Sequence, residues 1–315
     1  MRLYLMLLLA ISCTKPATTQ SVMPKPFRIV AYVPEADVTY LDSIPYDRVT
    51  HINYAFVNPA ADGTYHGTLF LDSLVARAHR NRVQVLLSVG GGNPPGYFKA
   101  LLAPGARPMV IRSLVQLLLK SGADGIDMDL EGDFITEHYE GFVSELKTAL
   151  PENHQSFTAA LATWCGERVT ARALEAFDFI NIMSYDKTGP WNPARPGPYS
   201  PYEMSLEDLY YWSNTRKVHK DRLVLGVPFY GYYFGPAGAG SMSFARIAVL
   251  GDNADQNDQW DLGGGNTIYY NGIPTIQRKS RLAREEAAGI MFWQTFQDHP
   301  GEHSLLSAIL AALKM

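Results

Sequence analysis

Cysteine is nearly missing from this chain: Cys13 and Cys165 are the two it has in 315 residues. That excludes a disulfide framework and any thiolate-rich zinc site. Charge is sparse too, at 18% of residues, and leans acidic, with 27 Lys plus Arg against 31 Asp plus Glu. No Lys/Arg run relieves that balance, so no nucleic-acid partner is expected. No apolar stretch reaches the ~20 residues needed to span a bilayer. Three catalytic signatures are missing as well. There is no G-x-S-x-G for a serine hydrolase, and no G-x-G-x-x-G follows the first strand. His299 and His303 stand four apart, but Pro300 and Gly301 break the helix that an H-E-x-x-H zinc site requires. Neither a metal nor another cofactor is expected. What is present is a 47% hydrophobic composition with 18 Tyr, 14 Phe and 5 Trp. That suffices for a sizeable core and for a site that stacks flat ligands.

The N-terminus reads as an address. Met1-Arg2 precedes an uncharged run from Leu3 to Ile11 that fits the apolar region of a signal peptide. It ends in Ala10-Ile11-Ser12-Cys13, which resembles a bacterial lipobox. Thr14 to Pro26 follows as a Thr/Pro/Lys tether without apolar periodicity. The competing reading is a short buried strand with an incidental cysteine. The expected organisation is a signal peptide over 1–12, a tether over 13–26 and one domain over 27–315. Lipidation of Cys13 would place an exported monomer on the bacterial cell envelope, touching membrane through its anchor alone.

Eight short apolar runs then alternate with helical stretches: Arg28–Val33, His51–Val57, Val83–Val89, Gly125–Glu131, Phe157–Thr163, Phe179–Tyr185, Leu223–Phe229 and Gly289–Trp293. Continuous apolar runs are what strands buried on both faces require. Pro108–Lys120 begins with Pro and ends before Gly122, as helix termini prefer. Ser205–Lys217 opens with a Ser-x-x-Asp cap and closes on Arg216 and Lys217. A third helix is expected over Ile276–Glu286. The predicted fold is an α/β (β/α)8 TIM barrel, with a doubly wound sheet as the alternative. About sixty residues separate the seventh and eighth strands. The Gly-rich stretch inside that gap, about 231–275, reads as a small insertion beside the active face.

The fourth strand carries the chemistry. Asp124-Gly-Ile-Asp127-Met-Asp129-Leu-Glu131 puts four carboxylates in eight residues. Side chains alternate along a strand, so Asp127, Asp129 and Glu131 face the barrel interior and Ile126, Met128 and Leu130 pack under the helices. Neighbouring buried carboxylates cannot all ionise. One kept protonated at the barrel mouth is a general acid. A solvated acidic face conflicts with the apolar alternate residues. A calcium loop over Asp127, Asp129, Glu131 and Gly132 would need Glu at the twelfth position, where His138 stands.

D-x-x-D-x-D-x-E on a fourth strand resembles the signature of glycoside hydrolase family 18, the chitinase-like barrels. Ser88-Val89-Gly90-Gly91 is similar to that family's S-x-G-G, and Met183-Ser184-Tyr185-Asp186 to its M-x-Y-D. Trp293 resembles the Trp that ends the eighth strand. Asn53-Tyr-Ala-Phe56 and Gly226-Val-Pro-Phe-Tyr230-Gly231 resemble the second and seventh strands. The resemblance runs from about Arg28 to Asp298. It implies a chain of β-1,4-linked N-acetylglucosamine as substrate and Glu131 as the acid that protonates the glycosidic oxygen. Asp129 would hold the substrate acetamide, and Asp127 would share a proton with Asp129, supported by Ser88 and Tyr32. Tyr185 would donate to the acetamide carbonyl. Trp293, Asp186, Met183, Phe56 and Tyr230 would complete the sugar site with Tyr32 and Ser88. Trp164 and Trp191, each just past a strand, are either further sugar platforms or packing residues.

Spacing alone leaves the nucleophile open. Asp129 and Glu131 start ~6.6–7 Å apart along a strand, near enough to the 5–5.5 Å of retaining pairs for Asp129 itself to attack. Substrate assistance, in which the acetamide oxygen attacks, is what the resemblance implies. The chain departs from many chitinases in having Leu130 before the acid and Gly132-Asp133 after it, where Trp and Tyr-Pro are common. Two alternative functions stand beside a chitinase. One is an endo-β-N-acetylglucosaminidase acting on the chitobiose core of N-glycans, and the other a catalytically silent lectin.

Overall fold

The computed structural model describes residues 27–151, 155–236 and 238–314. The expected signal segment, Cys13 and the tether lie outside the described residues. Eight parallel strands close into a barrel: β1 (Arg28–Pro34), β2 (His51–Val57), β3 (Gln84–Gly91), β4 (Gly125–Leu130), β5 (Ser156–Leu161), β6 (Phe179–Ile182), β7 (Leu223–Pro228) and, late in the chain, β12 (Gly289–Trp293). This is the (β/α)8 TIM barrel. β12 pairs with both β7 and β1, so strand order follows chain order around the ring. Nearly every position of β4, β6 and β7 is buried, because helices cover the outside and side chains fill the inside.

Between β7 and β12 the chain builds a second, four-stranded antiparallel sheet. It comprises β8 (Tyr230–Gly235), β9 (Gly238–Ser243), β10 (Gln259–Gly263) and β11 (Asn266–Tyr269), in the order β10-β11-β8-β9. One residue, Phe229, separates β7 from β8, and its amide donates to Trp293 O at 2.7 Å. The inserted sheet thus grows straight out of the barrel's C-terminal rim. His303 Nδ1 lies 2.9 Å from Asp255 Oδ2, so this histidine tethers the insertion to the segment after β12.

One helix follows its sequence signals and another departs from them. The helix Arg107–Ser121 has its Pro in the first turn and ends at Gly122 with φ +70°, as its residues demanded. The next expected helix start fails: the helix runs Tyr202–Tyr210 with Pro201 at its N-cap, then widens into a π-turn over Tyr211–Thr215. Ser205 is therefore no cap. It turns inward to Ser184 Oγ at 3.1 Å, a tertiary contact outcompeting the local motif. Arg216 likewise donates to the carbonyls of Gly166 and Val169 rather than to its own helix end.

Candidate active site

The acidic strand faces inward as its alternation required. Asp127 is completely buried and receives four donors: Tyr32 Oη at 2.7 Å and Ser88 Oγ at 2.8 Å on Oδ2, with Thr158 Oγ1 at 2.5 Å and Asn181 Nδ2 at 3.3 Å on Oδ1. Each comes from a different strand, so the carboxylate is the hub of the barrel's interior layer. Burial raises its pKa and the four donors oppose that rise. A calcium loop is overturned, because Asp127 sits on a strand with both oxygens occupied by the barrel wall. Thr158 and Asn181 were missed by sequence reasoning; each sits mid-strand in a stretch that reads as ordinary core. Asp124, the first acid of the motif, has a different task. Its Oδ2 accepts from the Val85 amide at 2.8 Å and lies 2.9 Å from His79 Nε2, clamping the foot of β3.

Asp129 is also buried, and its Oδ1 has no hydrogen-bond partner among the described residues. Burial and the facing charges of Glu131 and Asp127 hold Asp129 well above the usual carboxylate range. Glu131 stands one residue beyond β4, at the N-cap of a short 3-10 turn over Gly132–Phe134. Burial, reinforced by Asp186, pushes its carboxyl up to about 7. Arg168 holds the following turn, donating to Gly132 O at 2.9 Å and Asp133 Oδ1 at 2.8 Å.

A cleft of about 270 Å³ opens over these acids. Asp129 and Glu131 line it together with Phe56, Met183, Tyr185, Asp186, Tyr230 and Trp293. The sequence anticipated all of these, while Gly92, Tyr232, Ser241 and Gln297 complete the wall unannounced. Tyr32 and Ser88 lie behind the cleft, on Asp127. Phe56 and Trp293 stack at 5.3 Å with planes 16° apart, forming an aromatic floor. Gly91 makes this possible: at φ +90° it lies so near Phe56 that a Cβ would stand 2.6 Å from the ring. On the opposite wall Tyr230 donates to Asp186 Oδ1 at 2.6 Å, and burial raises the Asp186 carboxyl. Among the described residues the Tyr185 hydroxyl donates to Met291 Sδ at 3.9 Å and has no oxygen partner. Trp164 and Trp191 are both exposed, at 66% and 64%, so neither is core. Trp191 sets its edge on Tyr232, and Trp164 lies against Gly132.

A barrel with a stacked aromatic floor, a protonatable Glu at its rim and two buried Asp behind it is built for glycoside chemistry. The profile of the glycosyl hydrolases family 18 matches residues 28–298. The chain belongs to glycoside hydrolase family 18. Its fold is similar to that of the family 18 chitinase ChiB from the chitin utilization locus of Flavobacterium johnsoniae, with a TM-score of 0.83 at 33% identity, over 91% of this chain and 94% of that one. A chitinase of Bacteroides thetaiotaomicron superposes with a TM-score of 0.80 at 26% identity, over 91% and 96%. By sequence, the chain is 22% identical to Endochitinase 1 of Metarhizium robertsii over 84% of its length and 78% of the relative's. It is 26% identical to a chitinase-like effector of Moniliophthora roreri over 86% and 75%. This family 18 member is a chitinase-like glycosidase, and its barrel and acidic strand are the parts that carry that assignment.

Proposed function

We propose that the protein cleaves β-1,4-linked N-acetylglucosamine chains, as chitin or chitooligosaccharides, with retention and with the substrate's acetamide as nucleophile. One observation carries this reading. The cleft that holds Glu131 also holds a donor, the Tyr185 hydroxyl, whose partner is the weak acceptor Met291 Sδ at 3.9 Å, and a buried acceptor with no partner among the described residues, Asp129 Oδ1. A donor and an acceptor are what an acetamide presents itself to: its carbonyl oxygen to Tyr185 and its N–H to Asp129. Glu131 protonates the glycosidic oxygen as the C–O bond breaks, and the acetamide oxygen closes on the anomeric carbon to give an oxazolinium. Glu131, now a carboxylate, takes a proton from the incoming water, which opens the ring with overall retention. Orientation of the acetamide over the aromatic floor brings the attacking oxygen close, an effect worth several kcal/mol.

The test is product analysis on N-acetylchitooligosaccharides, glucosamine and glucose oligomers and a panel of N-glycans. Cleavage restricted to acetylated chains with a first-formed β product is the expected result. Glu131→Gln should lower turnover by two orders of magnitude or more while sugar binding persists. Comparable cleavage of cello-oligosaccharides, or a sugar covalently trapped on Asp129, refutes the mechanism. Cleavage of N-glycans alone moves the substrate, and binding without cleavage makes the protein a lectin. Export and lipid anchoring through Cys13 belong to the same proposal; a Cys13→Ser chain that partitions to membranes like the wild type removes that part.

A further inference from the structure

Lys279, on the helix Ile273–Glu286, is completely buried, and no step of the reaction uses it. Its Nζ donates to Ser200 O at 2.7 Å, Ser200 Oγ at 2.7 Å and Asn271 Oδ1 at 2.8 Å. Three acceptors match the three N–H groups of an ammonium. Asp258, Asp208 and Glu203 provide the surrounding negative charge. Burial lowers the Lys279 pKa to about 7 against that charge, and an apolar side chain would fill the space without this opposition. The contacts it makes all lead to one wall of the cleft. Ser200 Oγ in turn donates to Ser184 O at 2.7 Å, the carbonyl between Met183 and Tyr185. Tyr199, the preceding residue, stacks on Tyr230 at 5.2 Å and donates to Tyr230 O. Asn271, at the far end of the inserted sheet, returns Nδ2 to Ser200 O at 2.9 Å.

We propose that Lys279 is a positioning residue for catalysis: by locking Ser200 between the end of β6 and the inserted sheet, it sets the wall that carries Tyr185, Asp186 and Tyr230. No atom of Lys279 reaches the cleft; its action passes through Ser200 to the Ser184 carbonyl and through Asn271 to the insertion. The proposal rests on the role given above to Tyr185.

Lys279→Met and Ser200→Ala, alone and together, test it in the full-length protein with chitotetraose. Misplacing the acetamide donor should cut kcat by about tenfold or more in each variant while KM moves less than about threefold, since the aromatic floor still binds sugar. The double variant should be no worse than the poorer single one, because both break one chain of contacts. Hydrogen exchange supplies a readout independent of activity. Amides of 183–201 should lose protection in both variants while those of 125–131 keep theirs. Wild-type protection over 183–201, unchanged kcat in the folded single variants, or losses that multiply would overturn the proposal. If Lys279→Met fails to fold, Ser200→Ala decides it alone. A wild type that leaves chitotetraose uncut undoes the substrate reading, and the exchange pattern then still judges Lys279.

Discussion

Raising the pH is the simplest perturbation that isolates Glu131. An ordinary glutamate titrates at 4.5, whereas this one is pushed up to about 7 by burial and, secondarily, by the charge of Asp186. At pH 7 an unperturbed glutamate is about 0.3% protonated, and a group titrating there is about half protonated, a gain of roughly 150-fold in the acid form. The acid form is the reactive one, so kcat/KM should stay level on the acid side and fall tenfold per unit above about pH 7 to 8. The assay is initial-rate hydrolysis of chitotetraose across pH 4 to 9, with stability checked at each pH. Asp186→Asn removes the smaller of the two causes and should move the descending limb to lower pH by less than the whole displacement. Residual activity of Glu131→Gln should show no such limb. A limb already falling at pH 5, or one that survives in Glu131→Gln, would refute the assignment of Glu131 as the group whose environment tunes the reaction.

Tyr185→Phe removes a hydroxyl whose hydrogen-bond partner among the described residues is the Met291 thioether. It should lower kcat by about 10²-fold, as loss of one transition-state donor does, with the melting temperature unchanged. Thr158→Val leaves Asp127 Oδ1 with Asn181 alone at 3.3 Å, a loss of about 1.5–3 kcal/mol for a bond to a charged group. Burial raises the Asp127 pKa in the folded state, so the deficit should be small in acid and widen as pH rises above the usual carboxylate range in paired thermal melts. A deficit that shrinks with rising pH would contradict a carboxylate there. Gly91→Ala forces φ +90° on an L-residue and drives a methyl into Phe56. It should cost about 1–3 kcal/mol of stability and raise KM by unseating the floor, both readable from melts and Michaelis plots.

Much of this site was legible in the chain because strands impose parity. The order D-x-D-x-E fixed which acids face in, and the apolar Ile126, Met128 and Leu130 fixed which way is out. Tyr185 and Trp293 were singled out through the family resemblance of M-x-Y-D and of the Trp at the end of the eighth strand, since from their own positions either reads as ordinary barrel packing. Boundaries were less legible: β6 ends at Ile182, so Tyr185 and Asp186 belong to the loop. Thr158, Asn181 and Lys279 were invisible for a common reason. Each matters through partners far away in sequence, and a single polar residue in an apolar run carries no local signal of what it will meet. Ser205 shows the reverse case, a local capping pattern cancelled by a distant serine.

Pairing of β12 with β1 brings Arg28 opposite Gly289, which has a consequence for how the molecule is made. Contacts so distant along a chain are slow to form, because the loop between them must be closed before they repay it. During synthesis the ring stays open until β12 has emerged, leaving the free edges of β1 and β7 as sticky templates for other chains. Tyr32, the β1 donor to Asp127, sits on one of those edges. The nascent protein therefore completes the wiring around its central acid in the same event that seals its edges, and a chain released before Trp293 is both inert and prone to aggregate.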